Sequence, residues 1–322
     1  MSFVPVVDIS ADPGVVGPEL DEVCRTAGFF QVTGHGVPDG VAELAWTTAT
    51  MFFDLPLEDK LSVARPAPDY PYGYIPLAGE SLSQSIAGAA PPDLKEVFNA
   101  GPPAPPSRPF ADPGEAWAYS PSLWPAALPE LRAAWTAYYD AMRDLGHRLM
   151  SLFARGLGLP AGFFAGQTGQ AANALRAINY PARDAAPLAG QFRAGAHTDY
   201  GTLTILLAED KPGGLQVKMR SGQWVDVRPP NDAFVVNIGD MMMHWTNDHW
   251  LSNLHRVTNP PRESAHIPRL SIVLFQKPNY DAEIKCIEQY AGKASAPKYK
   301  TVIAGEHWYA KNEKARPVTK VR

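Results

Sequence analysis

His197-Thr198-Asp199 is followed by His255 after 55 intervening residues, and Arg269-Leu270-Ser271 comes 13 residues further on. Two imidazoles and one carboxylate in that order can occupy one face of a divalent metal and leave the opposite face open. That is the ligand set of non-haem Fe(II) sites that activate O2. His197 and Asp199 are two apart, so on a strand or at its end their side chains share one face. His255 lies in the β-like run Leu254-His255-Arg256-Val257 and can arrive from a neighbouring strand. Zinc is the main competitor for these donors. An isolated H-x-D occurs often by chance, and a lone histidine is more often structural. The pair of motifs with Arg-x-Ser behind it favours iron.

Arg269 and Ser271 open the strongly β run Ser271-Ile272-Val273-Leu274-Phe275. They therefore face one way, and Leu270 and Ile272 face the other. A guanidinium is a planar, permanently charged fork that matches a carboxylate, and a serine hydroxyl adds a further hydrogen bond. An arginine projecting into a barrel interior needs an anion, because a buried unpaired charge is costly. Tyr180, in Ile178-Asn179-Tyr180-Pro181, can donate to the same carboxylate, and Arg176 shares its alternation. The remaining histidines (His35, His147, His244, His249, His266 and His307) read as structural, with His244 and His249 the only credible substitute ligands.

The elements that must position these groups follow from periodicity. After Gly169, short β-rich runs at 175–180, 202–207, 214–218, 223–227, 233–238, 254–258 and 269–276 alternate with turn signals such as Pro212-Gly213-Gly214 and Pro229-Pro230-Asn231-Asp232. Many short strands at near-regular spacing indicate a sandwich or barrel. Leu131, Trp135, Tyr138, Met142, Leu145, Leu149 and Leu152 recur three and four apart, predicting a helix over 131–157 with one apolar stripe for the core. Further upstream, strands are expected at 4–9 and 28–33 and helices at 19–27 and 39–53. Asp39 is expected to cap the second helix, and Val41, Leu44, Ala45, Met51 and Phe52 to form its buried stripe. Residues 101–130 hold nine prolines, so 65–129 reads as ordered loops over the core, with Tyr72, Tyr74 and Phe98 as candidate pocket residues. A last helix is expected at 305–314. The chain reads as one integrated unit over 1–322. Its parts are an N-terminal module (1–130), a long-helix region (131–165), a β core (170–280) and a C-terminal tail (281–322).

At 322 residues, 45% hydrophobic and 19% charged, with net charge −4, the composition is that of an ordinary globular protein and gives no sign of a nucleic-acid partner. The basic end (Lys311, Lys314, Arg316, Lys320, Arg322) reads as a solvated tail. No apolar run approaches the ~18 residues that cross a membrane. Two cysteines, Cys24 and Cys286, suit a reducing cytosol, and no signal peptide is visible, so a cytoplasmic location is expected. Oligomeric state is left open.

With these motifs in place, the chain resembles the Fe(II)/2-oxoglutarate-dependent dioxygenases of the isopenicillin N synthase-like group. The resemblance is carried by His197-Thr198-Asp199-Tyr200-Gly201-Thr202-Leu203-Thr204, Gly213-Gly214-Leu215-Gln216-Val217 and Phe234-Val235-Val236-Asn237-Ile238-Gly239-Asp240. Trp245-Thr246-Asn247, Leu254-His255-Arg256-Val257 and the N-terminal Gly28-Phe29-Phe30-Gln31-Val32-Thr33-Gly34-His35-Gly36-Val37-Pro38 add to it. It implies a double-stranded β-helix (jelly-roll) core, with Fe(II) on His197, Asp199 and His255. It also implies 2-oxoglutarate as co-substrate on Arg269, Ser271 and Tyr180, and O2 as oxidant. The expected reaction oxidises an unactivated C–H bond of a small molecule by hydroxylation, desaturation or cyclisation, with release of succinate and CO2. Leu206, Ile272 and Phe275 are expected to wall the site. Ile178 stands where the group often has Asn, which weakens one co-substrate contact, and Tyr200 where Phe is common. The rivals are a 2-oxoglutarate-independent oxidase of the same fold, a metal-containing jelly-roll binding protein and a zinc hydrolase.

Overall fold

A computed structural model describes residues 4–84, 90–110, 112–228, 232–291 and 296–314, with side chains to residue 311. Twelve strands build the two main sheets: β1 (Val6–Asp8), β2 (Phe29–Thr33), β3 (Gly73–Ile75), β4 (Glu96–Ala100), β5 (Ala174–Tyr180), β6 (Ala194–His197), β7 (Leu203–Ala208), β8 (Leu215–Lys218), β9 (Trp224–Asp226), β10 (Phe234–Ile238), β11 (His255–Val257) and β12 (Arg269–Gln276). The larger sheet runs β1-β2-β10-β7-β12-β5-β4-β3, and the smaller runs β6-β11-β8-β9. Phe29, Tyr180 and Val235 of the larger sheet pack with Ala194, Leu215, Val217 and Val257 of the smaller, so the two sheets face each other. This is the expected jelly-roll core.

The central strands show why the cavity and the core separate so cleanly. Along β12, Leu270, Ile272 and Leu274 join the main core, while Arg269, Ser271, Val273 and Phe275 line the cavity between the sheets. On β5, Leu175 and Ala177 face the core, and Arg176, Ile178 and Tyr180 face the cavity. The period-2 alternation of a strand thus sorts one sheet into an apolar outer face and a mixed inner one. The long helix Glu130–Gly156 covers the outer face with the predicted stripe, from Leu131 through Leu152, all buried. Each such apolar side chain contributes about 1.5–3 kcal/mol through burial.

Several expectations are corrected. Ile272 is fully buried on the helix side and is not a cavity wall, because it has the wrong parity on β12. In helix Asp39–Asp54 the buried face is Ala45, Thr48, Ala49, Phe52 and Phe53, while Leu44 and Met51 are exposed. Asp39 is the first helical residue there, and the N-cap is Pro38, with no side-chain capping bond. The proline-rich 65–129 region holds β3, β4 and the short helix Pro113–Ala118, and it extends the main sheet through the β4–β5 pairing. Tyr74 and Phe98 belong to the core, Phe98 against Phe52 and Trp135. Of the three candidate aromatics only Tyr72 reaches the cavity. The tail helix runs Ala304–Lys314. The turn at Pro229-Pro230-Asn231 and the basic residues from Lys314 onward lie outside the described side chains.

Candidate active site

His197 closes β6, and β11 pairs antiparallel with β6 so that His255 stands directly opposite His197. Directly paired residues send their side chains to the same face of a sheet. The two imidazole centroids lie 4.2 Å apart. Asp199 Oδ1 is 4.0 Å from His197 Nε2 and 3.7 Å from His255 Nε2. The donor atoms of all three fall within 4.8 Å of one another, the separation a single ion can bridge. Both histidines are oriented by backbone. His197 Nδ1 lies 2.7 Å from the Gly195 carbonyl, and His255 Nδ1 lies 3.2 Å from that of Asn253. A carbonyl only accepts, so each Nδ1 carries the proton and each Nε2 lone pair faces the centre.

The carboxylate is aimed in the same way. Thr204 Oγ1 and Asn237 Nδ2 donate to Asp199 Oδ2 at 2.6 and 2.7 Å. That leaves Oδ1 directed at the histidines. Burial pushes the Asp199 carboxyl up, but the two imidazoles and these hydrogen bonds outweigh it and hold it below the usual carboxylate range. Burial, with His255 beside it, lowers His197 to about 3. A neutral imidazole beside an ionised carboxylate is the state that divalent-metal ligation needs. The following loop is clamped: Thr202 N and Oγ1 donate to the Gln276 carbonyl. A Cβ on Gly201 would meet that oxygen at 2.2 Å, so only glycine permits the approach. Iron fits these residues by donor set, orientation and protonation.

The cavity above the triad has a volume of ≈190 Å³. That is room for on the order of a dozen water-sized positions, the space of small molecules. At one end Arg269 is 3% exposed, and its Nε has no hydrogen-bond partner among the described residues. Its guanidinium lies 5.6 Å from the centre of the Tyr180 ring, its direct partner in the β5–β12 register, and Ser271 follows on the same face. Burial holds the Arg269 guanidinium below its ordinary range. An incoming carboxylate offsets that cost, so the distal end of a dicarboxylate fits here.

The weaker candidates have other partners. Arg176 reaches the cavity, but it is engaged by Glu80 and Asn99. His244 stacks on Tyr299 and His249 bonds to Asp21, and neither lines the cavity or joins the donor cluster. Ile178 lies opposite Ser271 as an apolar cavity residue, and the Tyr200 ring carries the Lys311 ammonium 5.4 Å above it.

Other residues at or beside the site escaped sequence reasoning. Thr204 and Asn237 sit inside motifs whose chemistry is silent until the fold brings them to Asp199. Arg193, buried immediately before β6, donates to the carbonyls of Pro212 and Ile267, and its guanidinium lies 5.8 Å from the centre of the Tyr180 ring.

Comparison with known proteins gives a consistent result. Residues 4–127 match the family model for the N-terminal region of the non-haem dioxygenase in morphine synthesis, and residues 172–278 match that of the 2OG-Fe(II) oxygenase superfamily. A homoarginine-6-hydroxylase of Oryza sativa subsp. japonica is 33% identical, with 94% of each chain covered. A validamycin A dioxygenase of Streptomyces hygroscopicus subsp. limoneus is 32% identical, with 96% of this chain and 86% of that one covered. Among solved structures, a full-length Neurospora crassa protein in complex with alpha-KG superimposes with a TM-score of 0.83 at 30% identity, covering 96% of this chain and 95% of that one. The dioxygenase relatives and the neighbour solved with alpha-KG favour the 2-oxoglutarate-dependent reading over an oxidase of the same fold. The chain belongs to the 2OG-Fe(II) oxygenase superfamily and is an Fe(II)- and 2-oxoglutarate-dependent dioxygenase.

Proposed function

We propose that His197, Asp199 and His255 hold Fe(II), that Arg269 and Ser271 grip the distal carboxylate of 2-oxoglutarate, and that Tyr180 completes that grip. The observation that carries this reading is the convergence of the three donors beside a buried guanidinium whose Nε has no partner among the described residues. Iron with 2-oxoglutarate and O2 supplies the oxidising chemistry, converting the co-substrate to succinate and CO2 as a C–H bond of a small molecule is oxidised.

The protein's share is position and environment. Thr204 and Asn237 keep one carboxylate oxygen of Asp199 on the metal side. The Gly195 and Asn253 carbonyls fix both histidine tautomers. Arg269 sets the direction in which the co-substrate enters. Leu206, Val273 and Phe275 line the cavity with apolar surface and exclude water from the reacting carbon. Hydroxylation is the simplest outcome, since several relatives are named hydroxylases. We read 1–322 as one catalytic unit. Among the described residues no helix is long and apolar enough to cross a membrane. With both cysteines free, a cytoplasmic location belongs to the same proposal. The test is a coupled assay with a panel of small molecules. Succinate formed in step with oxidised product, and only with O2 present, supports the reading. Product without succinate overturns it.

A further inference from the structure

The cavity is lined by more cationic side chains than the triad and co-substrate account for. Lys95 is matched by Asp93 at 3.0 Å and Glu80 at 3.7 Å, and Arg176 by Glu80 at 3.1 Å. Arg269 is assigned to the co-substrate. Lys277 is left. It is 7% exposed, and its Nζ has no hydrogen-bond partner among the described residues. It rests 3.3 Å over the Trp308 ring, on the tail helix. A ring face attracts an ammonium, but it does not replace the water that burial removes. Burial, with Arg176 nearby, holds the Lys277 ammonium well below its ordinary range. An anion beside it would offset both effects.

Its position says which anion. Lys277 is one residue beyond β12, with the same parity as Arg269, Ser271, Val273 and Phe275, and it lines the same cavity. Eight residues at about 3.3 Å each put it roughly 26 Å along the chain from Arg269. One small dicarboxylate cannot touch both. The metal site lies between them: Thr204, which holds Asp199, stands opposite Phe275 in the β7–β12 register. With Arg269 holding the co-substrate, that molecule would lie on the Arg269 side of the metal, and a primary substrate would lie on the Lys277 side. The backbone at Lys277 is fixed, with its N–H donated to Asn173 Oδ1 and the preceding carbonyl tied to Thr202 in the metal-site loop. Lys277 thus stands at a set distance from the triad.

We propose that Lys277 recognises a carboxylate of the primary substrate, so that this enzyme oxidises small organic acids in preference to neutral or cationic molecules. This rests on the assignment of Arg269 and Ser271 to 2-oxoglutarate. Trp308 and Phe275 flank the substrate's apolar part, and Lys277 fixes which carbon faces the metal.

The test uses the full chain loaded anaerobically with Fe(II) and 2-oxoglutarate. Calorimetry measures the binding of phenylacetate, 3-phenylpropionate, hexanoate and nicotinate, each against its neutral amide. At least one acid is expected to bind about tenfold or more tighter than its amide, the scale set by leaving a buried charge unpaired. Lys277→Met is expected to bring each pair within about twofold of each other, and Lys277→Arg to keep the preference for the acid. Equal binding of every pair by the native protein overturns the proposal, as does a preference that persists in Lys277→Met. If Lys277→Met does not fold, loss of the preference in Lys277→Glu, or its retention there, decides in the same way. The 2-oxoglutarate titration made while loading separates the two levels. Failure to bind co-substrate overturns both assignments. Normal co-substrate binding without any acid preference overturns only the role of Lys277.

Discussion

At the scale of single residues, the site works because each metal-facing atom is left only one direction. Asp199 has one oxygen occupied by Thr204 and Asn237, and the histidines have their Nδ1 protons committed to carbonyls. Removing such a partner typically lowers metal affinity about 10- to 100-fold without removing a ligand. Asn237→Ala should therefore weaken Fe(II) binding on that scale while the fold persists, as measured by anaerobic metal titration alongside circular dichroism. Arg269→Ala should act differently. It should raise the 2-oxoglutarate concentration needed for half-maximal turnover, and Arg269→Lys should only partly restore it, because an ammonium lacks the planar fork. The convergence of His197, Asp199 and His255 and the shared facing of Arg269 and Ser271 were legible in the sequence because metal and carboxylate chemistry admit few residue types. Thr204, Asn237, Arg193 and Lys277 were not, because serving Asp199, flanking Tyr180 or lining the cavity requires knowing which strands are neighbours.

At the scale of elements, β12 is the strand on which the architecture turns. Its even positions anchor the sheet to the long helix, and its odd positions furnish the cavity. Parity is a sequence property, so the facing of Arg269 and Ser271 could be read in advance, and Ile272 as a cavity wall broke the same rule. The long helix was legible for a similar reason, since seven apolar residues three or four apart leave one face. Two features were hidden. β6 spans only Ala194–His197 and has no β-branched residue, so only its pairing with β11 makes it a strand. β3 and β4 lie in a proline-rich stretch whose composition argues against regular structure, yet Tyr74 and Phe98 pack into the core. Leu149→Ala on the long helix removes a fully buried side chain far from the ligands. It should destabilise the protein by about 2–5 kcal/mol, measured by denaturant unfolding, with 2-oxoglutarate affinity unchanged well below the transition.

At the scale of the whole molecule, the N-terminal strands, the proline-rich segment and the core strands share one sheet, and the tail helix returns Trp308 to the cavity. Ligands bound between the two sheets therefore stabilise the assembled fold. Fe(II) with 2-oxoglutarate at about 100 times its dissociation constant should add about 2.7 kcal/mol of stability. That raises the unfolding temperature by several degrees in an anaerobic thermal scan. Arg269→Ala should lose most of that increment at the same 2-oxoglutarate concentration.

The central claim is that His197, Asp199 and His255 bind one Fe(II) on which 2-oxoglutarate can chelate, anchored at its far end by Arg269. Anaerobic titration of the Fe(II)-loaded protein with 2-oxoglutarate, followed by the weak visible charge-transfer band of the chelate, reads this directly. The band should grow to saturation at a single equivalent per chain in the native protein, and it should be absent from His197→Ala and Asp199→Ala, which also lose turnover. No band in the native protein, or a band of full strength in either variant, would contradict the account.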